Sequence, residues 1–112
     1  MIFKDNKHAN RYDAIIEQMR SDDDYHRSIA YLFALDRNLD EDYKLNDCFD
    51  FKEDVIKPEG LEKAWNTSFD RRLLKLAFAL WNDANAADIN EIFSYSYDVP
   101  YLCEAIKIRF NC

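Results

Sequence analysis

Glycine and proline are almost absent from this 112-residue chain, which contains one glycine, Gly60, and two prolines. Proteins built only from β-strands use many tight turns, and those turns consume both residue types. Their scarcity therefore favours an all-α fold. A glycine-rich loop that cradles phosphates is excluded for a related reason, because it needs several glycines close together.

Long apolar runs and cysteine pairs are missing as well. The first residues, MIFKDNKHANRYD, contain no apolar stretch of signal-peptide length. No segment approaches the roughly 20 apolar residues of a membrane-spanning helix. The three cysteines form no C-x-x-C pair, so we expect reduced thiols rather than a disulfide framework. These absences predict a cytoplasmic protein with no membrane association.

The residues that are abundant can build a core. Hydrophobic residues make up 48% of the chain and aromatic residues 15%, enough apolar surface to offset the entropy of ordering. The length predicts one domain over residues 1–112. We expect a compact single-domain bundle of about five to six helices, with an irregular acidic segment around residues 38–66.

Helical periodicity predicts where the regular elements lie. The predicted helices cover residues 5–20, 21–37, 67–83, 88–94 and 98–110. Asp5 is the expected cap of the first helix, Ser21 or Asp22 of the second, and Thr67 or Ser68 of the third. The third has the widest apolar arc, so we expect it to be the central, most buried helix.

The middle of the chain, residues 38–66, has the weakest pattern. One short helix is expected there, with Leu39, Tyr43 and Leu45 or Asn46 facing inward. A turn or a second short helix is expected from Pro58. The aromatic alternation at residues 93–97 allows a short strand as an alternative to helix.

Negative charge is concentrated in one third of the chain. The net charge is −7. Residues 22–54, here called the acidic segment, contain eleven acidic and four basic residues, whereas residues 1–21 contain three and four, and residues 55–112 contain eight and seven. The negative electrostatic field of this segment repels nucleic acid and attracts basic protein surfaces.

Carboxylates spaced along a helical surface can occupy an arginine-rich groove where phosphates would otherwise sit. We therefore predict a partner-binding surface on the acidic segment. Its predicted residues are Asp22, Asp23, Asp24, Asp40, Glu41, Asp42, Asp47, Asp50, Glu53 and Asp54. The first three are equally well explained as first-turn acids of the second helix.

A calcium loop is the most specific metal alternative. Counted from Asp36, the stretch DRNLDEDYKLND has oxygen ligands at positions one, three, five, seven and twelve. Position six requires a glycine and is Glu41, and position twelve favours glutamate and is Asp47. A solvated acidic loop at a helix end explains the same residues, so no metal ligand is assigned.

Enzymatic alternatives are less specific. Asp50, Glu53 and Asp54 lie near lysines, as in metal-dependent nucleases, but their spacing does not fix convergence on a cation. Asp50 and Asp54 are better explained as caps of local turns, beside Phe49 and Phe51, which anchor the segment to the core. Nucleophilic catalysis would need a pair such as Cys48 with His26 that meets only in space.

Direct nucleic-acid binding also has little basis. The basic cluster that the sequence displays is Arg71, Arg72 and Lys75 in the third predicted helix, on a chain whose overall field opposes phosphate. We expect these bases to pair with acids of the middle segment.

The stretch FDFKEDVIKPEGLEKAWNTSFDRRLLKLAFALWN, residues 49–82, resembles a family of short uncharacterised proteins from Firmicutes, their phages and mobile elements. The closing run PYLCEAIKIRF resembles the end of that family, and RYD and DDDYHRSIAYLFAL extend the likeness toward the start. The resemblance implies no reaction and therefore no catalytic residue.

The resemblance implies that the gene is carried by phages or mobile elements. That genomic setting favours an inhibitor of host defence, since some anti-CRISPR proteins are small, acidic and imitate nucleic acid. We therefore expect a non-enzymatic monomer or homodimer without a cofactor. Its expected partner is a basic nucleic-acid-binding protein such as a CRISPR effector nuclease. The alternatives are a small metal-dependent or carboxylate-based enzyme, and an accessory interaction module without inhibitory role.

Overall fold

A computed structural model describes residues 1–82, 88–94 and 98–111 of the chain. Its helices are α1 (Asn6–Met19), α2 (Asp24–Leu35), α3 (Asp42–Cys48), α4 (Ser68–Trp81), α5 (Ile89–Ile92) and α6 (Val99–Phe110). The antiparallel strands β1 (Phe49–Asp50) and β2 (Val55–Ile56) form a short hairpin, and 3-10 helices cover Arg37–Leu39 and Pro58–Glu62. The predicted α-helical fold is confirmed.

The helix starts follow the capping side chains. Asp5 caps α1 by accepting a hydrogen bond from His8 N at 2.8 Å, and Thr67 caps α4, as predicted. The predicted cap of α2 is wrong by one or two residues. Asp23, rather than Ser21 or Asp22, accepts the hydrogen bond from the backbone N–H of His26 at 2.9 Å.

Helix α2 occupies the centre of the molecule. Every residue from Ser28 to Asp36 is buried, and α2 packs against α1, α4 and α6. The prediction that the helix of residues 67–83 would be the most buried is therefore wrong. The small residues Ser28, Ala30 and Ala34 let neighbouring helices approach α2 from several sides, whereas α4 keeps Arg71 and Lys75 half exposed.

The middle segment partly follows the prediction. Leu39 and Leu45 are buried, but Tyr43 is 56% exposed and does not face inward. The reason is that α3 begins only at Asp42, so Tyr43 lies in its first turn on the outer side. The predicted short helix from Pro58 is present as the second 3-10 helix.

The hairpin was not foreseen, because its strands are only two residues long. Phe49 pairs with Ile56 and is completely buried against the core. Asp50 accepts hydrogen bonds from the N–H groups of Lys52 and Glu53, both at 3.0 Å, which confirms its predicted role as a turn cap. Asp54 closes the turn in the left-handed conformation, with φ of 60°.

Gly60 lies where the second 3-10 helix meets α3. A β-carbon at this position would be 2.8 Å from the carbonyl oxygen of Asp47 and 2.9 Å from Cys48 Sγ. Its φ is negative, so close packing rather than backbone conformation requires the glycine. Asn66 donates a side-chain hydrogen bond to the Gly60 carbonyl at 3.1 Å, which fixes the same corner from the other side.

The C-terminal helices complete the core. Leu102, Ala105 and Ile108 of α6 are buried, whereas Phe110 is 58% exposed. The alternative strand at residues 93–97 falls largely on residues outside those described. Each described helix is too short or too polar to cross a membrane.

Candidate functional site

Two distant parts of the acidic segment meet at His26. The imidazole lies between two carboxylates, with Nδ1 2.7 Å from Asp23 Oδ1 and Nε2 2.7 Å from Asp54 Oδ1. We call Asp23, His26 and Asp54 the His26 cluster. The ring is 5% exposed and packs edge-on against Trp81, with centroids 5.0 Å apart. The cluster therefore fastens the hairpin turn to the start of α2.

The His26 cluster favours a charged imidazole. Burial lowers the pKa of His26, but the hydrogen bonds and charges of Asp23 and Asp54 outweigh burial, so the pKa is raised above its ordinary value. Burial likewise raises the pKa of Asp23, but the hydrogen bonds from His26 dominate and the pKa is lowered. The cluster thus carries two carboxylates for one imidazolium and stays net negative.

Both histidines are buried. His8 is 3% exposed; its Nδ1 accepts a hydrogen bond from Lys4 N at 3.0 Å, so its Nε2–H donates to the Tyr31 carbonyl at 3.0 Å. Desolvation lowers the pKa of His8. The spacing of Asp23 and His26, three residues apart at a helix start, was the available signal for the His26 cluster.

The acids around α3 form a second group. Lys44 Nζ lies 3.9 Å from both Asp40 Oδ1 and Glu41 Oε1. Asp47 accepts a hydrogen bond from the Trp65 indole at 2.9 Å and lies 3.9 Å from Lys63 Nζ. These ion pairs are long, and solvent screens them, so they leave much of the negative charge uncompensated.

None of the ten predicted contact residues is buried. Asp22, Asp23, Asp40, Glu41, Asp42, Glu53 and Asp54 are exposed, and Asp24, Asp47 and Asp50 are half-buried. Arg27 lies 3.6 Å from Asp24. Because His26 contacts both Asp23 and Asp54, it brings the acids at residues 22–24 together with those of the hairpin turn. Continuity between these acids and those around α3 stays a prediction.

A buried carboxyl pair was missed by the sequence analysis. Asp36, at the end of α2, is 1% exposed, and Asp70, in the first turn of α4, is 7% exposed. Burial raises the pKa of Asp36, and interaction with Asp70 helps to raise it. The buried Asp36 Oδ2 accepts no hydrogen bond from the described residues, so a proton on Asp36 would let it donate toward a neighbouring acceptor. Asp70 also accepts hydrogen bonds from Asn38 Nδ2 and, at 2.6 Å, from Thr67 Oγ1.

Burial and the neighbouring Asp70 raise the pKa of Asp36 to about 9. Asp36 is therefore protonated near neutral pH. The 34-residue separation hides the contact from sequence periodicity; the only local signal was that Asp36 continues the buried face of α2.

This pair removes the geometric basis of the calcium alternative. Asp36 faces Asp70, and positions seven to twelve of the proposed loop belong to the helix α3. Asp47 at position twelve is bonded to Trp65. Among the residues that the structure describes, no group of three or more His, Cys, Asp or Glu side chains is placed to hold a metal ion.

The other catalytic alternatives are not assembled either. Asp50 is occupied by backbone N–H groups and Asp54 by His26, so these acids do not converge. Both ring nitrogens of His26 contact carboxylates rather than Cys48. Burial raises the pKa of the Cys48 thiol to about 12, which makes it a poor nucleophile.

The basic cluster predicted on α4 is not a surface patch. Arg72 is 3% exposed and donates to the Ile92 carbonyl at 2.9 Å. Lys75 pairs with Glu91 at 2.7 Å rather than with the middle segment. The predicted pairing with the acidic segment is therefore wrong for these two residues, because α5 packs on this part of α4.

One family model, described as a family of unknown function (DUF6075), matches residues 1–112. No curated protein and no solved structure matches the chain.

Proposed function

We propose that this chain, which belongs to the DUF6075 family of unknown function, is a non-enzymatic protein that binds a basic protein surface through its acidic segment. The observation that carries the proposal is the exposure of the predicted contact acids. Ten carboxylates of residues 22–54 reach the surface, and the bases within the same segment are Arg27, Arg37, Lys44 and Lys52.

The way the carboxylates are held also supports binding. The His26 cluster holds Asp23 and Asp54 on opposite sides of one buried ring, so their positions are set before any partner arrives. Asp50 is fixed by two backbone hydrogen bonds. Side chains ordered in advance lose less entropy on binding than free ones do.

The partner class follows from the charge. A groove that binds nucleic acid presents arginines and lysines spaced to meet phosphates, and the acidic segment offers carboxylates to the same donors. We propose a cytoplasmic nucleic-acid-binding protein as the partner. The most specific candidate partner is an effector nuclease of host defence, such as a CRISPR nuclease. The resemblance to proteins of Firmicutes, their phages and mobile elements supports this candidate.

The test is affinity capture with purified chain as bait in a bacterial lysate, followed by mass spectrometry. We expect basic nucleic-acid-binding proteins to be retained, to elute as salt is raised, and to be displaced by double-stranded DNA. Charge reversal by Asp40→Lys with Asp42→Lys should weaken binding at least about tenfold, because like charges are then brought together.

The matched control is Asp13→Lys with Glu17→Lys, which changes the net charge equally on the exposed face of α1. Loss of binding in the control alone, or equal binding by both variants and the parent chain, contradicts the proposed surface. Retained proteins that DNA does not displace contradict the proposed groove.

An accessory interaction module is the second candidate, and exposed large hydrophobic residues favour it. Tyr43 is 56% exposed beside the acids of α3, and Ile89 is 72% exposed. Homodimerisation through Tyr43 would be seen as a mass of twice 13.4 kDa by light scattering, and Tyr43→Ser would restore the monomer. A monomer at all concentrations removes this candidate.

A further inference from the structure

A cavity of about 210 Å³ lies between the first turn of α1 and the last turn of α2. Its floor is apolar, from Ala34 and Leu35, and the buried ring of His8 lines one side. None of its lining residues is one of the ten predicted contact acids or belongs to the hairpin, so it can be tested separately from the proposed function.

The cavity is lined by positive charge, although the chain as a whole carries −7. Lys4, Lys7 and Arg11 come from the start of the chain and α1, and Arg37 comes from the first 3-10 helix. Asp5 is the carboxylate in the lining, and one of its oxygens already accepts the hydrogen bond from His8 N. The cavity therefore has a local excess of positive charge.

Two of these cations are available to a ligand. Within the described residues, the side chains of Lys7 and Arg37 form no hydrogen bond or ion pair, and both are exposed at the rim. Lys4 is engaged with Asp98, 3.2 Å away.

Arg11 lies deeper and is prepositioned. One guanidinium nitrogen donates to the Asp36 backbone carbonyl at 2.9 Å. The other N–H groups of the guanidinium remain able to donate to a ligand. Desolvation lowers the pKa of Arg11, so the half-buried guanidinium lacks the solvation that an anion would replace.

We propose that this cavity binds the phosphate group of a small phosphomonoester. Planar guanidinium forks pair with phosphate oxygens through two hydrogen bonds, and a lysine supplies a further point charge. Lys7, Arg11 and Arg37 outnumber the acids near them, Asp5 in the lining and Asp40 beside Arg11, and so favour an anionic group such as a phosphate. A long polyanion is disfavoured because the acidic segment repels it.

The sequence does not display this site. Lys7 and Arg11 are four residues apart and share one face of a helix, but Arg37 reaches them only because α2 runs back alongside α1. Read in order, the first 21 residues carry a charge of only +1.

The test is a titration of the isotopically labelled chain, followed by the backbone amide signals in two-dimensional NMR. The probes are inorganic phosphate and a nucleoside monophosphate. We expect saturable shifts confined to residues 4–11 and 34–38 with both probes, or with the monophosphate alone if the rest of the nucleotide contributes contacts. Absence of saturation up to about 10 mM, well beyond a millimolar dissociation constant, overturns the proposal.

The variant Lys7→Ala with Arg37→Ala should weaken binding at least about tenfold, because it removes two charge-assisted partners. Both side chains are exposed, so folding should be unchanged. The control Lys52→Ala with Lys107→Ala removes the same charge away from the cavity and should bind as the parent chain does. If both double variants weakened binding equally, the effect would come from net charge alone, and the proposed site would be wrong.

Discussion

The His26 cluster and the Asp36–Asp70 pair are two ways of holding carboxyl groups in one small protein. Each joins segments that are far apart in the chain, Asp23 to Asp54 and Asp36 to Asp70. In the first, a buried imidazole separates two carboxylates whose side chains are 55% and 50% exposed. In the second, two carboxyl groups face each other in the interior with neutral partners.

The difference shows that the surroundings, rather than the residue type, decide the charge of an aspartate. Hydrogen bonds from a cationic ring lower the pKa of Asp23, whereas burial raises that of Asp36 to about 9. The His26 cluster therefore offers negative charge to a partner, whereas Asp36 carries none near neutral pH. The two regions should also depend on pH through different groups.

The largest expected effect is on the pH dependence of stability at Asp36. Its folded pKa lies above the unfolded value of 3.8, so the folded state binds more protons between about pH 4 and 9 and stability falls as pH rises through that window. Asp36→Asn keeps an amide donor toward Asp70 and cannot ionise. As the pH rises from 5 to 8, we expect the free energy of unfolding of the variant to increase by on the order of 4 kcal/mol relative to that of the parent chain.

Urea unfolding of both proteins across this pH range measures the difference directly. Asp88→Asn is the control, since Asp88 is exposed and should give a curve parallel to that of the parent chain. Parallel curves for Asp36→Asn as well would mean that Asp36 is ionised in the folded protein.

The second effect tests how much the interior pair contributes to stability. Asp70→Ala removes the acceptor of the hydrogen bonds from Thr67 and Asn38. Buried donors without partners are costly, so the free energy of unfolding at pH 6 should fall by about 3 kcal/mol. Asp88→Ala, which removes the exposed cap of α5, should cost about 1 kcal/mol or less. A loss at Asp70 no larger than at Asp88 would show that the pair is not structural.

The sequence predicted the elements that local rules determine. Asp5 and Thr67 were found as caps because capping depends on neighbours three residues away. The hairpin and the central position of α2 were missed, since both depend on contacts between segments. The acids of residues 22–54 were visible as a charge excess, whereas the Asp36–Asp70 contact and the cationic cavity arise only when distant elements pack together.

The smallest expected effect on stability concerns the His26 cluster. The folded pKa of His26 is raised above its unfolded value of 6.5, so its contribution is fully present below pH 6.5 and is lost as pH rises through the folded pKa. His26→Gln should therefore cost about 1 kcal/mol more at pH 5.5 than at pH 9, a modest value because solvent screens the two half-exposed carboxylates.

His8→Gln gives the opposite comparison within the same protein. The pKa of His8 is lowered by burial, so its contribution is fully present above pH 6.5 and is lost as pH falls through the folded pKa. Urea unfolding should show a larger cost of His8→Gln at pH 9 than at pH 5.5. Costs that change in the same direction for both histidines would contradict the assigned protonation states.

The contact at Gly60 has a mechanical consequence. Because its backbone touches the end of α3 with no room for a methyl group, the 3-10 helix of residues 58–62 and α3 cannot slide past each other without opening the corner. The hairpin between them is anchored by Phe49 on the inside and by His26 on the outside. Force applied to the hairpin by a bound protein would therefore be transmitted to the core as a unit, and dissociation should not require the hairpin to unfold first.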